Sequence, residues 1–114
     1  MKAMSKDTPY LGEFEQLLLL AILQLRDDAY AVPVRALLTE RAKRRVSRGA
    51  LYTSLERLEV KGLLTSRVGD PIAVRGGRAR RYFTVTPAGL QALRTARDAV
   101  ANLSRNLESV LDRP

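Results

Sequence analysis

The chain contains no cysteine, no histidine and no tryptophan. Without cysteine there is no disulfide framework and no thiolate metal site. Without histidine the commonest general base and the commonest metal ligand are both missing. Aromatics are scarce, two Phe and four Tyr. Readers of single-stranded RNA lean on exposed aromatics, so that class is disfavoured, and a flat aromatic ligand would lack its usual tryptophan partner. The longest apolar run, LLLLAIL at 17–23, is far short of the roughly 20 residues a bilayer requires. The first ten residues are mixed and polar, unlike a secretory signal. The expected compartment is the cytoplasm, and no cofactor or metal is expected.

Positive charge is what the chain has in excess. Twenty Lys and Arg face twelve Asp and Glu, a net charge of +8 over 114 residues. A domain this basic commonly meets a polyanion. The distribution is more telling than the total. Residues 35–48 hold six basic side chains and one acidic, and residues 67–81 hold five arginines and one aspartate. Eleven of the 20 basic residues therefore fall in two short segments, whereas a merely solvated surface would spread them. Between the two lies a nearly neutral stretch, and residues 1–30 are net acidic.

Length allows one domain. Residues 1–10 read as a flexible leader. A first helix is expected over Leu11–Arg26, with Glu13 and Glu15 in its first turn, where acids suit the helix dipole. It is apolar nearly all round after Gln16. Phe14, Leu17, Leu18, Ala21 and Leu25 share one face, so Leu19, Leu20 and Leu23 need a second cover from this chain or another. A second helix is expected over Val32–Arg44, with Pro33 in its first turn. Ser47 is a good N-cap for a third helix reaching Lys61, with Gly62 placed to end it. Leu63–Val68 and Arg81–Val85 read as strands joined by a loop rich in glycine and arginine. Thr86-Pro87 starts a last helix, expected to run to Leu111. Its apolar positions Leu93, Ala96, Val100, Leu103, Leu107 and Val110 step by three and four, which is heptad spacing. At 1.5 Å per residue it would span roughly 35–40 Å, long for a domain this size.

Three helices, a hairpin and a long helix make a winged helix-turn-helix, mainly α with a small β-hairpin. The third helix is then the one that enters a DNA major groove. Leu51, Leu55 and Leu58 hold it to the core. Its other side carries Arg48, Gly49, Tyr52 and Thr53, next to Ser47. Gly49 lets a backbone approach, and Tyr52 and Thr53 can donate hydrogen bonds to phosphates or base edges. Arg48 suits a phosphate or a guanine. Lys43, Arg44 and Arg45 precede the helix and suit the phosphate backbone, while Arg75, Arg78 and Arg80 lie on the wing. Plainer readings stand beside these. Tyr52 is also compatible with a core-edge position, and Val60 points away from the leucine stripe without an evident role. Gly76-Gly77 lacks a Walker pattern and reads as turn flexibility. Asp27-Asp28 reads as a turn, and Ser47 as a cap with no base to make it a nucleophile.

Three segments carry a family resemblance. SRGALYTSLERLEVKGLL (47–64), GGRARRYFTVTPAGLQAL (76–93) and LGEFEQLLLLAIL (11–23) together resemble the PadR family of bacterial transcription regulators. The resemblance spans about residues 10–95 and implies a winged-helix DNA-binding domain. It also implies a homodimer built with the C-terminal helical part, and a repressor whose DNA affinity responds to a small-molecule effector. By position, Gly49 and Tyr52 match the family's G-x-L-Y motif, and the loop arginines with Tyr82 its R-x-Y segment. Thr53 departs from the proline many members carry there. The single C-terminal helix resembles the family's compact form, which makes a dedicated effector pocket less assured.

The expected division is 1–10 leader, 11–86 winged helix-turn-helix and 87–114 dimerisation helix. The expected dimer surface comprises Leu19, Leu20, Leu23, Leu93, Ala96, Val100, Leu103, Leu107 and Val110. The expected function is sequence-specific DNA binding, by a homodimer repressing from a palindromic operator of double-stranded DNA. A basic dimeric interaction module, or a non-specific nucleic-acid binder, would use the same charge map. An enzyme is disfavoured, because no convergent acid pair replaces the missing His and Cys.

Overall fold

The computed structural model describes residues 10–69 and 79–113. They form α1 (Glu13–Leu25), a short 3-10 turn (Arg26–Asp28), α2 (Ala31–Ala42), α3 (Arg48–Val60), β1 (Leu64–Val68), β2 (Arg81–Val85), α4 (Pro87–Ser104) and α5 (Glu108–Leu111). The strands pair antiparallel, with Leu64 opposite Val85 and Val68 opposite Arg81. This is the winged helix-turn-helix order, with two further helices, α4 and α5, after the wing.

α1 starts where the Glu15 carboxylate accepts the Gly12 N–H at 3.0 Å. The same carboxylate takes the Lys61 ammonium at 2.8 Å, tying the start of α1 to the end of α3. Burial pushes the Glu15 carboxyl up. The Lys61 hydrogen bond, the Gly12 N–H and the charges of Lys61 and Arg57 outweigh it, so the group sits below its ordinary value. Leu18, Leu19 and Ile22 of α1 form the centre of the core with Val34 and Leu38 of α2 and the leucine stripe of α3. Leu19 is 0% exposed. This corrects its expected place in a dimer surface: its cover comes from this chain. Leu20 and Leu23, on the outer side of α1, remain exposed.

α2 stops at Ala42, two residues before the expected end. Lys43 adopts a left-handed conformation (φ 56°, ψ 35°), and its N–H and that of Arg44 both return to the Leu38 carbonyl. A non-glycine residue costs about 1 kcal/mol there, but the reversal makes the tight turn of the motif. Arg35 Nε, reaching back from α2, donates to the Val46 carbonyl at 3.0 Å and braces that turn. Ser47 Oγ then accepts the Ala50 N–H at 3.1 Å and caps α3, as its sequence position predicts.

The hairpin is docked at both ends. Phe83 N–H donates to the Ala29 carbonyl at 2.9 Å, joining β2 to the turn before α2. Phe83 and Val85 turn into the core. Thr86 Oγ1 accepts the Gly89 N–H at 3.1 Å and donates to the Gly62 carbonyl at 2.7 Å, so one hydroxyl caps α4 and clamps it to the α3–β1 turn. Gly89 is required at that contact, since a Cβ would collide with the Leu63 carbonyl oxygen and sit 2.7 Å from Val85 Cγ1.

The C-terminal helix is shorter than its heptad pattern predicts. α4 ends at Ser104 after 18 residues, about 27 Å, and Asn106 takes φ 70° before α5. Ser104 Oγ bonds back to the Val100 carbonyl at 2.6 Å, a local bond that competes with helix continuation. Asparagine then tolerates the left-handed position. Leu107 and Val110 therefore lie beyond a bend, not in one straight stripe with Val100 and Leu103. Only the first turns of α4 pack on the body: Gly89 and Ala92 are buried, and Leu90, Leu93 and Ala96 half-buried. Val100, Leu103, Leu107 and Val110 are exposed.

Candidate nucleic-acid interface

The leucine stripe of α3 fixes what its other side presents. Leu51, Leu55 and Leu58 are no more than 1% exposed, so at 3.6 residues per turn the opposite side faces outward. Arg48, Gly49, Tyr52 and Thr53 are all exposed there. Tyr52 is 43% exposed, a value that an outward-facing role and a core-edge position both allow. A Cβ built on Gly49 would meet nothing within 4 Å, so the first turn of the helix offers open backbone. Glu56 is exposed one turn beyond Tyr52 and marks the end of the surface suited to phosphate. Val60, at the far end, is 89% exposed, and no neighbour among the described residues accounts for it.

The turn before α3 adds cations. Lys43 and Arg45 are exposed. Arg44 is placed differently: its guanidinium lies 2.8 Å from Glu13 of α1 and is half-buried. An exposed pair of this kind is weak, yet it draws Arg44 toward α1. Arg35 and Thr39 of α2 share a polar hollow with Arg45 and Ser47. Neither stood among the expected site residues, although Arg35 opens the basic segment 35–48 and helical spacing puts Thr39 on its face.

On the wing, Arg80 is exposed just before β2, while Arg75 and Arg78 lie outside the described residues. Arg67 of β1, opposite Tyr82, is a further exposed cation that sequence reasoning passed over. Arg81 points the other way. It donates to Ser66 Oγ at 2.8 Å, and Ser66 donates to Glu59 at 2.7 Å, a polar chain from wing to α3. The structure thus brings the turn and the first half of α3 together on one side, with Arg80 at the wing base. Among the described residues no acidic cluster could hold a metal ion, and no helix is long and apolar enough to cross a membrane.

Residues 19–95 match the family described as Transcriptional regulator PadR-like family. The chain belongs to the PadR-like family. That family is described as one of transcriptional regulators. The PadR-like chain is 49% identical over 65 residues to Transcriptional regulator Rv3488 of Mycobacterium tuberculosis. The matched stretch is 55% of each chain, so the match spans about half the length of that relative. In fold it is similar to a PadR-like transcriptional regulator from Bacillus cereus, with a TM-score of 0.68 and 22% identity, covering 89% of this chain and 93% of that one. It is also similar to a PadR family transcription regulator from Clostridium difficile, with a TM-score of 0.67 and 23% identity, covering 84% of this chain and 96% of the other. The G-x-L-Y motif and the β2 segment that suggested a PadR-like protein both lie inside the matched residues.

Proposed function

We propose that the protein is a sequence-specific DNA-binding regulator that acts as a homodimer on a two-fold symmetric duplex site and represses from it in the cytoplasm. One observation carries the proposal. The core-facing leucines of α3 leave Arg48, Gly49, Tyr52 and Thr53 exposed on a single helix, preceded by a turn bearing Lys43 and Arg45. A helix with that face suits a major groove, where N-terminal residues reach base edges. The dimer is supported by the outer residues of α1 and the far half of α4, which expose Leu20, Leu23, Val100 and Leu103. Leu20 and Leu23 line one hollow with Leu90 and Leu93, apolar surface of that kind favours association, and a two-fold dimer would space its recognition helices about 34–36 Å apart, one turn of DNA.

Fluorescence anisotropy tests this with two labelled duplexes, the DNA upstream of the protein's own gene and a scrambled sequence, at low and physiological salt. A preference of roughly a hundredfold or more that survives the higher salt is the expected result. Equal binding to both, erased by salt, favours a non-specific nucleic-acid binder once a selection from random duplexes also yields no preferred site. Arg48→Ala and Tyr52→Ala are each expected to lower discrimination, and retention in both variants would remove α3 from recognition.

A further inference from the structure

Four side chains at the base of the wing form one continuous stack. The Arg67 guanidinium carbon lies 4.7 Å from the centroid of the Tyr82 ring. Tyr82 meets Tyr30 edge to face, centroids 5.5 Å apart and planes at 63°. Tyr30 in turn carries the Arg80 guanidinium, its carbon 4.3 Å from the ring centroid. Both tyrosines are half-buried and both arginines exposed. The rings sit on fixed backbone: Tyr30 follows Ala29, whose carbonyl accepts the Phe83 N–H at 2.9 Å, and Tyr82 precedes Phe83.

The aromatic pair by itself would attach the hairpin to the body. It also ends in a cation at each side. A guanidinium that stacks through its flat face keeps its N–H donors free at the edge. Among the described residues neither Arg67 nor Arg80 makes an ion pair, so those edges are not committed to a carboxylate, although the Tyr82 hydroxyl takes part of the Arg80 edge and Asp28 acts on its charge from farther off. Stacking also restricts the rotamers of a long side chain before any ligand arrives, which lowers the ordering cost of binding. The two arginines come from β1 and from the residue just before β2 and flank one aromatic pair, an arrangement that suits anionic oxygens along a backbone.

We propose that Tyr30 and Tyr82 are positioning residues for DNA binding, holding Arg80 and Arg67 as preordered phosphate contacts at the base of the wing. This role rests on the DNA-binding function proposed above. It adds a residue, Tyr30, that lies on neither the recognition helix nor the wing, and a cation, Arg67, from β1.

Phosphate contacts do not depend on sequence, so a labelled random-sequence duplex is a sufficient probe. The full chain is titrated against it over a range of salt, with circular dichroism confirming that each variant folds. Tyr30→Leu is expected to weaken binding about three- to fivefold, and Tyr30→Phe, which keeps the ring, to restore it. Arg80→Ala is expected to weaken binding and reduce the salt slope by about 0.9. On that background Tyr30→Leu is expected to cost less than about twofold further, because the two act through one contact. Equal losses from Tyr30→Leu with and without Arg80, wild-type affinity in Tyr30→Leu, or failure of Tyr30→Phe to restore binding would each overturn the positioning role. If Tyr30→Leu does not fold, the exposed Arg80→Lys variant decides. It keeps the charge and loses the flat stacking face, so a several-fold loss at unchanged salt slope is expected, and wild-type affinity overturns the role. Wild-type protein that binds no duplex at all overturns the DNA-binding function and this role together.

Discussion

Leu103 offers a direct test of the proposed dimer, because it contributes almost nothing within one copy. It stands on the last turn of α4 and is 83% exposed. Replacing it with aspartate should change the isolated fold by less than about 1 kcal/mol, the range of an exposed substitution plus an acid near a helix C-terminus. In a dimer that covers it, the same leucine contributes roughly 2 kcal/mol of apolar burial. Two-fold symmetry counts it twice, so the loss is about 4 kcal/mol, close to a thousandfold in the dimer dissociation constant. Desolvating the new carboxylates adds to that figure. Sedimentation equilibrium across a concentration series reads the effect directly: a dimer for the wild type, a monomer for Leu103→Asp at the same concentrations. Thermal melts supply a second reading, since the midpoint of a dimer depends on protein concentration and that of a monomer does not. Leu103→Lys should behave alike, which separates the interface from the helix dipole. A dissociation constant within about tenfold of wild type in both variants would refute the reasoning and place any interface elsewhere.

Other expectations concern the fold that presents the site. Gly89→Ala forces a Cβ into the Leu63 carbonyl and Val85; a loss of about 1–3 kcal/mol is expected, read as a fall in the denaturant midpoint, and an unchanged midpoint would refute the close approach. Thr86→Ala removes the hydroxyl that both caps α4 and holds Gly62, and should cost about 1–2 kcal/mol in the same assay. Glu15 has a depressed pKa in the folded protein, so its pairing stabilises the fold above the unfolded-state carboxylate value and is lost as pH falls through the folded one. Wild type should therefore melt above Glu15→Gln near about pH 7, with the gap closing toward about pH 3; a gap that widens on acidification would reverse the assignment.

Much of the fold was legible in the sequence because local rules and packing agree. Ser47 and Thr86-Pro87 mark helix starts through side-chain chemistry that acts over three residues, and both caps form as expected. The leucine spacing of α3 had one consistent solution, with the core on one side and the polar face on the other. The end of α4 was less legible. A heptad pattern reports which residues share a face if the helix continues, and Ser104 with Asn106 stops it by local hydrogen bonding and a left-handed turn. The partial commitment of Arg44 to Glu13 joins residues 31 positions apart, and no periodicity registers such a pair.

The sequence by itself determined the order of elements, the polar outward side of α3 and the basic character of its surroundings. Those depend on side-chain spacing, capping chemistry and charge, all short-range along the chain. Tertiary structure decided which members of each apolar group are already covered: Leu19 lies sealed in the core while its neighbour Leu20 faces out. It also decided that Tyr30, far from the wing in sequence, stacks between Tyr82 and Arg80. Such contacts arise only when the turn before α2 closes on β2 through the Ala29–Phe83 hydrogen bond. The physical reason is that burial and stacking are set by surfaces meeting in three dimensions, whereas a helix or a cap is set by neighbours along the chain.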